Sequence, residues 1–160
     1  VPDISDASQF KASFNALQNQ IKKGEVVSGH DIGSGGLITT LLEMCFAENK
    51  VGMQVDLSAF DEQVLYAENP AVVIQTSAKS AKHLIDKGLS IVEIGEVNES
   101  DVLKIQCENE SFEFHISTYR KHWMTTSYLM DKNQTDPSKA KERFDSVDKT
   151  PLRFTFPTSF

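Results

Sequence analysis

The stretch Ser28-Gly29-His30-Asp31-Ile32-Gly33-Ser34-Gly35-Gly36-Leu37 constrains this chain more than any other. Glu25 to Gly29 reads as a short strand rich in β-branched residues, and it delivers His30 and Asp31 to its carboxyl end. The apolar run that follows, with Leu37, Ile38, Leu41, Leu42, Met44, Cys45 and Phe46, predicts a helix from about Gly35 or Gly36 to Ala47. Its apolar residues cover much more than one stripe, so the helix should be buried on most sides. A strand must therefore pass through a glycine turn directly into a buried helix, which demands a layered α/β arrangement.

Such a junction has chemical potential. A helix start exposes unpaired backbone N–H groups and the positive end of the helix dipole, so an anion can sit there. Gly33, Gly35 and Gly36 lack a Cβ and let a phosphate approach the backbone, while Ser34 adds a hydroxyl donor. Asp31 offers a carboxylate suited to Mg²⁺, an ion that usually reaches protein through one or two carboxylates plus substrate phosphates. His30 brings an imidazole, a group suited to general acid or base work. The residues alone leave other readings open: a merely tight connection, Asp31 as a helix cap, and His30 as a structural side chain.

The remaining elements follow from periodicity. With Ser5 or Asp6 as N-cap, Phe10, Phe14, Leu17 and Ile21 form one helical stripe ending before Gly24, expected to be a buried inner face. Val51 to Leu57 alternates as a half-buried strand. Gln63 to Tyr66 leads into the turn Ala67-Glu68-Asn69-Pro70, and Ala71 to Thr76 is expected as a central strand. Ser77 caps a helix through Lys87, with Ala81, Leu84 and Ile85 inward and Gly88 as its stop. Ile91 to Val97, Val102 to Cys107 and Phe112 to Ile116 are strands, the last two joined as a hairpin by Glu108-Asn109-Glu110. A helix from about Thr118 to Met130 follows. Asp131 to Thr150 is polar and reads as a linker or long loop. The sum is an α+β fold of mixed α/β layers, with one mixed sheet covered by helices rather than a doubly wound parallel sheet.

A chain of 160 residues can bury one substantial core without disulfide staples. Its net charge of -7, with only short basic runs at Lys22-Lys23 and Lys139 to Arg143, argues against nucleic acid as a partner. No apolar run approaches the roughly 18 residues of a membrane span. Cys45 and Cys107 share no zinc-like spacing with histidines and read as buried thiols of a reducing cytoplasm. His83, His115 and His122 fall on patterned positions and read as structural or solvent-facing. The chain starts at Val1 without Met and ends at Phe160 directly after a strand-like Leu152 to Phe156, as a piece of something longer would.

Gly29 to Leu37, followed by Leu42-Glu43-Met44-Cys45-Phe46-Ala47, resembles the start of the carboxyl-terminal domain of the aminoimidazole ribonucleotide (AIR) synthetase superfamily. Leu65 to Pro70 is similar to that superfamily's Leu-Phe-x-Glu turn. Trp123 to Met130 and Asp136-Pro137 resemble the Trp-bearing helix and tail of its long single-chain phosphoribosylformylglycinamidine synthase branch, in the second of two synthetase-like copies. The resemblance implies a domain over residues 1–130, and a linker over 131–160 leading toward a glutaminase domain. It implies an ATP-dependent ligase of purine biosynthesis that uses glutamine as nitrogen source, with Mg²⁺ and ATP or ADP as cofactors. Its partners would be the remaining domains of the parent chain, the amino-terminal synthetase-like domain and the glutaminase. By position, Asp31 matches the Mg²⁺-binding Asp of the second copy, and Gly33 matches a nucleotide-associated position that is usually Ser. Gly33 and Ser34 replace the Ser-Asp of the family pattern His-Asp-x-Ser-Asp-Gly-Gly-Leu. Glu68 and Asn69 match positions that touch substrate in the first copy, and here serve as turn residues or accessory ligands. The resemblance leaves two roles open, a site that turns over substrate or a scaffold that holds a structural nucleotide and a domain interface.

Overall fold

The computed structural model describes residues 4, 6–48, 50–86 and 91–147. In chain order these form α1 (Ala7–Lys22), β1 (Val26–Asp31), α2 (Gly36–Cys45), β2 (Gly52–Leu57), a 3-10 turn (Glu62–Tyr66), β3 (Val72–Thr76) and α3 (Ala78–Asp86). They continue as β4 (Gly95–Asn98), β5 (Val102–Cys107), β6 (Ser111–His115), α4 (Ile116–Gln134) and α5 (Pro137–Ser146). The class is α+β with mixed pairing, as expected, but the strands divide into two sheets instead of one.

The larger sheet has the order β4-β2-β5-β6, with β2 parallel to β5 and both outer strands antiparallel to their neighbours. Met53, Val55 and Leu57 on β2 lie beside Leu103, Ile105 and Cys107 on β5, so one face of the central pair is continuously apolar. Against these residues the core adds Leu37, Leu41 and Cys45 of α2, Leu65 of the 3-10 turn and Ile116 of α4. No residue from Gly36 to Phe46 is exposed, which matches the all-round apolar pattern of that helix. The hairpin between β5 and β6 closes through the Cys107 amide on the Glu110 carbonyl, 2.8 Å away.

β3 is not a central strand. It pairs antiparallel with β1 alone, in a ribbon that carries a register shift between Val26 and Ser28. A short apolar run shows that a strand wants burial but not which strand it joins. β4 likewise begins at Gly95, later than the apolar pattern from Ile91 suggested.

Two helical expectations are corrected. Asp6 caps α1, accepting from the Ser8 and Gln9 amides at 2.9 Å each; Ser5 lies outside the described residues. The stripe of α1 is nevertheless largely uncovered, since Phe10, Phe14 and Ile21 are all exposed and Gln20 is the buried residue. Periodicity decides which side chains share a face, and something else must cover it. Ser77 caps α3 by accepting from the Ser80 amide at 3.2 Å, and Leu84 points inward, but Ile85 is exposed. Lys87 and Gly88, read as the end and stop of that helix, lie outside the described residues.

Of the segment expected as a linker from Asp131, residues to Gln134 continue α4 and Pro137–Ser146 form α5, with Thr135 and Asp136 extended between them. Asp136 caps α5 with Pro137 in its first turn, and Ala140 is buried. α5 packs back along α4: Phe144 stacks on Tyr128 at 4.6 Å, and Arg143 grips Asp131 through Nε at 2.9 Å and Nη2 at 2.8 Å. The remainder of that stretch and the strand-like Leu152 to Phe156 lie outside the described residues.

Candidate strand–turn–helix site

β1 ends at Asp31, and the turn reaches α2 through Gly35 and Gly36, both in the left-handed region at φ +89 and +73. A side chain at Gly36 would meet Leu65 O at 2.7 Å and Tyr66 Cα at 2.8 Å, so the helix start presses directly on the 3-10 turn. Gly33 differs: its backbone is not left-handed, and nothing lies within 4 Å of where a Cβ would stand. A side chain as small as serine would fit there without strain.

The turn does not present a fully open cup of amides. Gly35 donates its N–H to Glu68 Oε1 at 2.8 Å, and Gly36 donates to the Gly33 carbonyl at 3.1 Å. Glu68, brought in by the segment after the 3-10 turn, thus places an anionic oxygen on the helix start, where the dipole favours it. Its neighbour Asn69 is exposed. Ser34 is exposed as well.

Asp31 points outward, its side chain 84% exposed, with Oδ1 3.6 Å from His30 Nδ1. Its carbonyl oxygen is held from two sides, 2.7 Å from His30 Nδ1 and 3.2 Å from Thr40 Oγ1. The other imidazole nitrogen, Nε2, lies 3.1 Å from Glu43 Oε2. Glu43 Oε1 in turn accepts from Trp123 Nε1 at 2.9 Å. Thr40, Glu43 and Trp123 are site-lining residues that the junction alone did not reveal. One signal was available: Glu43 is the lone charged residue between Leu37 and Phe46.

A hard, exposed carboxylate beside a helix start suits Mg²⁺ bound mainly through water and phosphate oxygens. A cage made by protein alone does not occur, since no group of three or more His, Cys, Asp or Glu that could hold a metal exists among the described residues. The cysteines take no part. Both are free and fully buried, and burial pushes the Cys45 thiol up to about 11 despite the opposing Arg120 charge. Arg120 is buried under the end of α2, donating from Nη2 to the Glu48 carbonyl at 2.6 Å and the Cys45 carbonyl at 3.4 Å. His83, His115 and His122 are exposed. No described helix is long and apolar enough to cross a membrane.

The mixed sheet, the α2 layer and the glycine junction define a domain of the AIR synthetase kind. The chain belongs to the family described as AIR synthase related protein, C-terminal domain, whose model matches residues 1–108. It is similar to phosphoribosylformylglycinamidine synthase of Homo sapiens, 31% identical over 147 residues that cover 85% of this chain and 11% of that protein. A second relative is the probable phosphoribosylformylglycinamidine synthase, chloroplastic/mitochondrial, of Arabidopsis thaliana, 29% identical over 141 residues that cover 83% of this chain and 10% of that protein. The chain thus spans about a tenth of the length of these relatives. Among solved structures the fold matches T. maritima PurL complexed with FGAR, with a TM-score of 0.57, 21% identity and coverage of 69% of this chain and 20% of that one. It also matches PurLQS from Thermotoga maritima, with a TM-score of 0.60, 20% identity and coverage of 74% and 22%.

Proposed function

We propose that this chain is a domain of a cytoplasmic phosphoribosylformylglycinamidine synthase, in which the turn from Asp31 to Gly36 holds the phosphates and Mg²⁺ of ATP or ADP. The parent enzyme would convert formylglycinamide ribonucleotide and glutamine to formylglycinamidine ribonucleotide, consuming ATP. Phosphorylation of the amide oxygen would create the leaving group, and ammonia from a glutaminase domain would displace it. The observation that carries the site is the Glu68 carboxylate oxygen on the Gly35 N–H: the helix start already stabilises an anionic oxygen at bonding distance. Glu68 is exposed and free to yield that position to a phosphoryl oxygen. Asp31 would hold the ion, Gly33 to Gly36 the phosphates, and His30 would orient the end of the strand. The remaining domains of the parent chain supply the rest of the cleft, so this domain alone should not turn over substrate.

A scaffold role is favoured by a different observation. The α1 stripe, with Phe10, Phe14 and Ile21, lies exposed as an interface would be. The two roles separate in the full-length Asp31→Ala enzyme assayed with ammonia as nitrogen source. A catalytic site loses far more than about tenfold in turnover, as expected when a metal ligand is removed. A scaffold shows lower stability and loss of copurified nucleotide, with turnover nearly intact. Unchanged nucleotide content and unchanged turnover together would refute both.

A further inference from the structure

We propose that Glu43 and Trp123 are positioning residues of the Asp31 turn, acting on it through His30; the proposal rests on the nucleotide reading above. The three side chains form a continuous polar chain across three elements. His30 stands at the end of β1 with one ring nitrogen on the Asp31 carbonyl and the other on Glu43 Oε2. Glu43 comes from α2 and spends its second oxygen on the Trp123 indole N–H of α4. Glu43 thus faces a His30 ring nitrogen on one side and accepts from the indole N–H on the other, and a carboxylate so placed orients the imidazole it faces. The imidazole then fixes the backbone from which the Asp31 carboxylate projects.

The indole is itself held. Its ring meets Phe46 at 5.8 Å with the planes tilted by 52°, and Phe46 packs on the core. α4 lies beyond the residues 1–108 that match the family model, so the geometry of the junction depends on a helix outside the matched region. Trp123 remains 56% exposed, more than a residue kept only for packing would be. Its contribution is one directional hydrogen bond that Phe cannot supply. Glu43 is likewise the one charge in an apolar helix, placed where one oxygen faces His30 Nε2 and the other accepts from the indole N–H.

The test begins with ring-nitrogen NMR of the chain labelled with ¹⁵N-histidine, the His30 signals being those missing from His30→Gln. Trp123→Phe keeps an aromatic ring against Phe46 and removes the N–H donor; Glu43→Gln keeps the shape and removes the charge. Each should shift the His30 ring signals and leave those of His83 and His115 in place. Unmoved His30 signals in both variants would overturn the proposal. The second arm measures MgADP affinity in the parent synthase. Glu43→Gln should weaken it about tenfold, the scale of an outer-sphere orienting group, and Trp123→Phe about fivefold, the scale of one hydrogen bond, both without loss of thermal stability. Wild-type binding with both variants equal to it would overturn the positioning role and leave the nucleotide reading standing. Failure of the wild-type synthase to bind MgADP at this turn would overturn the nucleotide reading, and this proposal with it.

Discussion

Gly36→Ala should be the most damaging methyl group that can be added to the site. At φ +73 an L-residue in left-handed helical geometry costs about 1–2 kcal/mol. The new Cβ would also stand 2.7 Å from Leu65 O and 2.8 Å from Tyr66 Cα, well inside contact distance. Those atoms are backbone, and Leu65 is buried in the core, so relief requires moving the 3-10 turn away from α2. Overpacking of this kind costs about 1–3 kcal/mol. The total, about 2–5 kcal/mol, is a large share of the ~5–15 kcal/mol that holds an ordinary domain together. Urea unfolding followed by circular dichroism should show the midpoint falling by about 1–2.5 M, given a slope of roughly 2 kcal/mol per M. Gly33→Ala is the internal control, with open space and ordinary φ, and should move the midpoint hardly at all. A Gly36→Ala midpoint equal to that of Gly33→Ala would refute the claim that the helix start is pressed onto the 3-10 turn.

Other perturbations probe the supports of the fold. Arg120→Met should destabilise the chain by about 2 kcal/mol, the scale of a charged donor lost from a helix carboxyl end, and thermal unfolding will register it. The Arg143 and Thr135 hydrogen bonds hold the Asp131 carboxyl below its ordinary value of 3.8, so this contact stabilises the folded chain above that pH and is lost as the pH falls below it. An acid titration of unfolding should therefore show a steeper acid limb for the wild type than for Asp131→Asn; identical limbs would remove the contact from the account. Cys45 and Cys107 should resist a thiol reagent at pH 8 in the folded chain and react rapidly once urea exposes them, because burial raises both thiols. Rapid native labelling of either would contradict the buried assignment.

Local pattern carried much of this structure, and the particular residues show where it stopped. The helix from Gly36 was legible because apolar residues all round it admit only burial, and Ser77 and Asp6 announced their helices as caps. α5 was missed for the converse reason. Its stability comes from the Asp136-Pro137 start, one small buried Ala140, a stacked Phe144 and the Arg143 grip on Asp131, none of which makes an apolar stripe. Its start signal was nonetheless written in the Asp-Pro pair.

What the amino-acid order determined by itself was the strand, glycine turn and helix around Asp31, since φ preferences, β-branching and helical periodicity act between near neighbours. Tertiary structure alone decided that β3 pairs with β1 outside the main sheet, that Glu68 reaches the Gly35 amide, and that Trp123 reaches Glu43 across eighty positions of chain. Those contacts join residues far apart in sequence, and their geometry depends on how the layers stack. It also decided that the stripe of α1 stays exposed, because the surface that covers an apolar face belongs to whatever packs against it, and no periodicity within the helix records that.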